Sequence, residues 1–261
     1  MLLAVDIGNT QTHLGVFDKD QLAHEWRAST EARRTADELA LMFGEFLALA
    51  DLSFSRQITG VAISSVVPRA TQELREMTAR YFGFPAVVVE PGTRTGISIM
   101  TDSPREVGAD RIANAVAAHA MFPDEHKVIV DFGTAITVDA VSSRGEYLGG
   151  AIAPGLDTAA TALFSSTAQL PRVELVEPLG VIGKSTVASI QSGIIYGTAG
   201  LVDGLVDRVV DQLEGTARVL ATGGMAQVLT RHCRTIERTE PMLTLQGLRL
   251  IFERNPVGGP R

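Results

Sequence analysis

Leu2-Leu3-Ala4-Val5-Asp6-Ile7-Gly8-Asn9-Thr10 opens the chain, and Lys127-Val128-Ile129-Val130-Asp131-Phe132-Gly133-Thr134-Ala135 restates its pattern 125 positions further on. In both, a short apolar run ends in a carboxylate and a glycine turn follows, the signature of a buried strand that delivers a polar group at its end. The continuations match too. Thr12 to Phe17 and Ile136 to Val141 read as second strands, Asp18-Lys19-Asp20 and Arg144-Gly145 as hairpin turns, and third strands start at Leu22 and Tyr147. The repeat is one of architecture, not of close sequence. It implies two similar domains facing each other, expected over 1–115, with the first carboxylate turn, and 116–255, with the second.

Between the two turns, apolar residues at helical spacing predict a helix over 35–50, and Pro68 opens another to about Phe82. Val61 to Ile63 and Ala86 to Val89 read as strands, 90–105 as a loop, and 105–121 as a helix ended by Pro123. Further helices are expected near 155–165, 185–213 and 243–253, a strand at 217–221, a turn at Gly223-Gly224 with a helix to about Arg231, and a loose tail from Pro256 to Arg261.

The composition is that of a globular protein: 261 residues, 45% of them hydrophobic. A net charge of −7 leaves no basic stripe for nucleic acid, and Arg231, His232 and Arg234 read as solvated surface. One cysteine, Cys233, excludes an intrachain disulfide and reads as an incidental thiol. No run of 18 uncharged apolar residues is present, and the N-terminus lacks a basic region followed by a long apolar one. The expected location is the reducing cytoplasm.

An acidic protein that binds an anion must do so with local groups. In Asp6-Ile7-Gly8-Asn9-Thr10, glycine lets the backbone approach a phosphate, the amides and the Thr10 hydroxyl can donate to it, and the carboxylate can hold Mg²⁺ through water. A plain hairpin turn with a polar cap would read the same. The second copy, Asp131-Phe132-Gly133-Thr134-Ala135, makes a two-sided phosphate clamp the better account. Thr222-Gly223-Gly224-Met225 would let a nucleoside lie against the backbone, although alone it is an ordinary strand-to-helix turn. The three turns, in this order, match the actin-like ATPase pattern. That predicts an α/β fold of two tandem actin-like (ribonuclease H-like) domains, with mixed sheets flanked by helices.

Gly183-Lys184-Ser185-Thr186 is not a phosphate-binding P-loop, because that motif needs glycine where Pro178 stands. Lys184 and Thr186 suit an anion or a hydroxyl at a helix start, and a simple Ser/Thr cap fits the position equally well. In Gly108-Ala109-Asp110-Arg111, Asp110 could take a proton from a hydroxyl and Arg111 could bind a carboxylate, with a surface ion pair as the alternative.

Over nearly its whole length the chain resembles the type III pantothenate kinase family. The resemblance rests on the two Asp-Gly turns, on Pro104-Arg105-Glu106-Val107-Gly108-Ala109-Asp110-Arg111, on Gly149-Gly150-Ala151-Ile152-Ala153-Pro154-Gly155, on Ile182-Gly183-Lys184-Ser185-Thr186, on Gln191-Ser192-Gly193 and on Thr222-Gly223-Gly224. It implies an ATP-dependent transfer of phosphate to the primary hydroxyl of pantothenate, giving 4'-phosphopantothenate, the first step of coenzyme A biosynthesis. It also implies a homodimer.

By resemblance, Asp110 is the general base. Asp6, Ile7, Gly8, Asn9, Thr10, Gln11, Thr12, His13 and Thr134 bind ATP. Thr101, Gly108, Ala109, Asp110, Arg111 and Thr186 contact pantothenate. Asp131 holds K⁺ or NH₄⁺, and Asp6 a Mg²⁺ or other divalent ion through water. The family usually carries a tyrosine seven residues before the Gly108 position, where this chain has Thr101. Two rivals remain from the sequence: a non-enzymatic relative that acts on transcription, and a kinase for another alcohol.

Overall fold

In the computed structural model, which describes residues 1–167 and 170–255, the chain forms two compact units. The first runs over Met1–Ala120 and takes in the segment from Met242; the second is Met121–Pro241. The tail expected to be loose, 256–261, lies outside the described residues.

The first unit holds β1 (Leu2–Ile7), β2 (Gln11–Asp18), β3 (Gln21–Ser29), α1 (Ala36–Ala48), β4 (Gly60–Ser65), α2 (Pro68–Met77), β5 (Val87–Val88), β6 (Ser98–Ile99) and α3 (Ala109–Met121). Its sheet has the order β3-β2-β1-β4-β5, with antiparallel hairpins on one side of β1 and parallel strands on the other. β1 is apolar on both faces because it is central. Leu3, Val5 and Ile7 face a core shared with residues of α1 and α2. Leu2 and Ala4 face a second core built with Ala109, Ile112, Ala113 and Val116 of α3.

Local signals set the helix starts. Thr35 and Glu38 form a reciprocal capping box at α1, and Pro68 occupies the first turn of α2. α2 passes into a π-helical turn at Thr78–Phe82 and stops at Gly83, whose φ is +75°.

The second unit repeats the plan with β7 (His126–Phe132), β8 (Ala135–Val141), β9 (Glu146–Pro154), α4 (Leu156–Ser165), α5 (Thr186–Gln212), β10 (Ala217–Thr222), α6 (Ala226–Leu229) and β11 (Arg238–Thr239). Its strands lie in the order β11-β10-β7-β8-β9. β7 stands where β1 does, with an antiparallel partner on one side and a parallel one on the other. Ile195, Val202 and Val206 of α5 pack on Val128, Val130 and Phe132 of β7. Among the described residues no helix is long and apolar enough to cross a membrane.

Two expectations differ from the structure. The helix expected from 105 starts at Ala109, after a 3-10 turn at Pro104–Glu106. The last helix, α7 (Leu243–Arg254), was expected to close the second domain and instead packs in the first unit. Leu245, Leu248 and Ile251 are fully buried there with Leu2, Ala4 and Ala62. Gly247 lies so close to the Ala113 carbonyl of α3 that no side chain fits. Thr244 donates to Asn114 Oδ1 at 2.7 Å. Helical periodicity shows that this segment has an apolar face; it does not say which sheet covers it.

Candidate active site

In the first unit, Asp6 is the penultimate residue of β1, and Gly8, Asn9 and Thr10 form an exposed or half-exposed turn into β2. The turn closes through Gly8 N–H to the Gln11 carbonyl at 2.9 Å. Ile7 points into the core at 2% exposure, so only its backbone can serve a ligand. Thr12 is 4% exposed, and its hydroxyl meets the Thr30 hydroxyl at 2.9 Å. The Thr30 amide also donates to the Thr10 carbonyl at 2.9 Å. Thr30 thus grips the turn on both sides. The sequence reading missed it, since nothing local marks a residue so far along the chain.

His13, opposite Asp6 in the β1–β2 ladder, bonds Glu25 at 2.9 Å. Burial pushes its imidazole below the ordinary value, and nearby Arg27 acts in the same sense; the Glu25 bond opposes both. His13 is therefore a neutral ring at pH 7, bonded to a carboxylate within the sheet.

Asp110 lies in the first turn of α3, where its Oδ1 accepts from the Arg111 backbone amide at 2.8 Å. Gly108 leaves room for that carboxylate, since a Cβ there would meet the same oxygen and force the Asp110 side chain to turn. The Gly108 carbonyl starts the helix by accepting from Ile112 N at 3.1 Å. Gly-Ala-Asp-Arg is therefore a helix start that presents a carboxylate and a guanidinium in successive positions. Thr101 belongs to the loop before it. Its Oγ1 is a buried oxygen with no hydrogen-bond partner among the described residues.

In the second unit, Asp131 is the penultimate residue of β7, as Asp6 is of β1. The Gly133-Thr134 turn closes through Gly133 N–H to the Ala135 carbonyl at 3.1 Å. The Thr134 carbonyl accepts from Gly155 N at 3.1 Å and from the Thr158 hydroxyl at 2.8 Å. Gly155 must be glycine, because Gly133 and Thr134 occupy the place of a Cβ.

The Gly223 turn, remote in sequence, comes to rest on the Asp131 turn. The Met225 amide donates to the Phe132 carbonyl at 3.2 Å, and Gly223 has φ +93°, a conformation side chains rarely adopt. The structure thus joins the second and third glycine turns around one carboxylate.

Ser185 caps α5, accepting from Ala188 N at 3.2 Å, so the cap reading of this segment holds for Ser185. Thr186 opens the helix and lines an apolar groove of about 430 Å³ with Leu163, Leu170, Ser189, Ile190 and Ile194. The coil before it is tied along α5 by Gln191 Nε2 to the Glu174 carbonyl at 2.8 Å and by the Ser192 hydroxyl to the Val181 carbonyl at 2.6 Å.

Of the basic cluster, Arg231 and Arg234 are paired surface, with Glu177 and Asp207, but His232 is not solvated: its ring is largely buried, edge-on to Tyr196 at 5.2 Å. Burial pushes the Cys233 thiol up to about 12, so it stays protonated and unreactive.

The model of the type III pantothenate kinase family matches residues 2–208. The type III pantothenate kinase of Frankia alni is 52% identical over 98% of this chain and 100% of its own. Among solved structures, a Baf family protein of Campylobacter jejuni superposes with a TM-score of 0.61 at 21% identity, covering 97% of this chain and 98% of that one. An inorganic polyphosphate/ATP-glucomannokinase of Arthrobacter sp. strain KM gives a TM-score of 0.53 at 15% identity, with 97% of each chain covered. At those identities the structural likeness concerns the fold.

Proposed function

The chain belongs to the type III pantothenate kinase family, phosphotransferases of coenzyme A biosynthesis, and we propose that it moves the terminal phosphoryl group of ATP to the primary hydroxyl of pantothenate. The observation that carries this is the matched pair of carboxylates, Asp6 and Asp131, each next to last on the central strand of its sheet and each followed by a glycine turn.

Phosphoryl transfer asks a protein mainly to position two substrates and to offset charge. The amides and hydroxyls from Gly8 to Gln11 and at Thr134 bind the phosphate oxygens of ATP, while Ile7, Thr12 and His13 hold the shape of the first turn. Asp110 accepts the proton of the attacking hydroxyl. Arg111 pairs with the pantothenate carboxylate. Gly108 and Ala109 let the substrate approach the helix start, and Thr101 and Thr186 contribute polar contacts.

Two ions are implied by the family, and the residues fit them. Among the described residues no group of three or more His, Cys, Asp or Glu could hold a metal. A single strand-end carboxylate suits a hard ion that keeps its waters and shares phosphate oxygens. Asp6 would hold Mg²⁺ or another divalent ion through water. Asp131, with main-chain groups crowded beside it at Gly223, would hold K⁺ or NH₄⁺. Bound there, these ions would neutralise charge on the phosphates.

The chain acts in the cytoplasm as a homodimer through α5. One face of α5 is consumed by its own core, but Val187 and Leu201 on the same helix stay 42% and 39% exposed. A monomer by light scattering at assay concentration, with full activity, would refute the dimer.

The test of function is ATP consumption across pantothenate and other small hydroxy acids. Turnover with pantothenate well above the rest supports the proposal. Preference for another alcohol, or no turnover with any, overturns it.

A further inference from the structure

Ser64 stands beside Asp6. It is next to last on β4, in parallel register with Asp6 next to last on β1. Two residues earlier on each strand, Ala62 and Ala4 face the core shared with α3 and α7, so alternation puts Ser64 and Asp6 on that face as well. In open α/β sheets, ligands gather at the carboxyl ends of such parallel strands.

Ser64 is fully buried, and its Oγ has no hydrogen-bond partner among the described residues. The next residue makes the contrast plain. The Ser65 hydroxyl donates to the Val67 carbonyl at 3.2 Å and accepts from Val67 N at 3.1 Å, so the chain turn accounts for it. No hydrogen bond among the described residues accounts for Ser64. A buried hydroxyl without a partner costs stability, and alanine, already present at Ala4 and Ala62, would fill the space without that cost.

The second unit has the same pairing. β10 occupies the place of β4, and Thr222, 1% exposed, is in parallel register with Asp131. Each strand-end carboxylate has a buried hydroxyl residue on its parallel neighbour.

We propose that Ser64 is a further residue of the phosphate site, and that its hydroxyl acts with Asp6 to hold a water of the hydrated divalent cation that accompanies ATP. The proposal rests on the reading of Asp6 as a phosphate-site carboxylate. A cation held through its waters needs acceptors for their protons. The carboxylate takes one, and the serine oxygen beside it takes another. The hydroxyl, partnerless among the described residues, is thereby satisfied when the cation and nucleotide are bound.

The experiment compares Ser64→Ala with the wild type in two measurements: thermal unfolding without ligand, and calorimetric binding of the non-hydrolysable analogue AMPPNP with and without Mg²⁺. The expected result is an unfolding temperature equal to or above that of the wild type. The affinity for Mg²⁺-AMPPNP should fall about tenfold, the size of one hydrogen bond to a polarised water. Affinity for metal-free AMPPNP and for pantothenate should change less than about twofold. Unchanged Mg²⁺-AMPPNP binding overturns the proposal. So does an equal loss with and without metal, or a lowered unfolding temperature with general loss of binding, since those mark a nucleotide contact or a structural hydroxyl. Failure of the wild type itself to bind Mg²⁺-AMPPNP removes the phosphate-site reading of Asp6, and this proposal with it.

Discussion

Gly223 lies against Asp131 so closely that a Cβ placed on it would stand 2.5 Å from the Asp131 Oδ1. Its φ of +93° already disfavours any side chain. Gly223→Ala should therefore displace the carboxylate or the Phe132 backbone, and cost about 1–2 kcal/mol in strain alone. The expected outcome is a lower unfolding temperature and at least about a tenfold loss of kcat/KM for ATP. Wild-type kinetics in this variant would detach the Gly223 turn from the active site.

Asp110→Asn keeps the size of the side chain and the acceptor that Arg111 N–H uses, so the helix start should survive. Loss of the base should lower kcat by roughly 10²–10⁴-fold. Circular dichroism and unfolding temperature check the fold. Near-normal turnover would remove Asp110 from proton transfer.

Thr101 places a buried hydroxyl oxygen, partnerless among the described residues, in the loop before α3. An aromatic ring there should add about 1–2 kcal/mol of contact with pantothenate. Thr101→Tyr should then lower the KM for pantothenate about ten- to thirtyfold with little change in kcat, since ground and transition states share the contact. An unchanged or higher KM would mean that the loop is already packed without it.

If Asp131 holds a monovalent cation, replacing K⁺ by Na⁺ at constant ionic strength should remove most activity, and NH₄⁺ should restore it. The same exchange should matter little in Asp131→Asn, which starts low. Equal wild-type rates in Na⁺ and K⁺ would count against the ion.

Lys127 is fully buried in β7, with its ammonium donating to the Ser142 carbonyl at 3.2 Å. Burial draws its pKa down to about 8 from 10.5, against the pull of Glu125 and Asp124. Between those values the unfolded chain binds more protons than the folded one. Stability should therefore rise as pH climbs through that window, by up to about 3 kcal/mol. Urea unfolding of the wild type and Lys127→Met across the window checks this; the variant should lose the rise. An identical slope in both would place the titration elsewhere.

The strand-turn-strand halves were legible because their cause is local. Val5-Asp6-Ile7-Gly8 and Val130-Asp131-Phe132-Gly133 state burial, strand end and turn within a few residues, and the structure puts both carboxylates next to last on a central strand. The Gly108-Ala109-Asp110-Arg111 motif was legible as a motif, but its helix was placed four residues early, because Pro104 starts a 3-10 turn rather than the α-helix. Thr30 and Ser64 were not legible. A threonine and a serine at the ends of polar and apolar strands carry no signal until the sheet sets Thr30 on Thr12 and Ser64 beside Asp6.

By itself the sequence determined the α/β class, the internal repeat and the family, since each depends on residue type and spacing along the chain. Only the tertiary structure decided that α7 returns to the first unit, that Gly223 and Gly155 close around the second turn, and that Ser64 stands beside Asp6. Those relations join residues up to more than a hundred positions apart. They are selected by which apolar faces bury each other and which backbones can meet without a Cβ, and neither condition is written in any short stretch of chain.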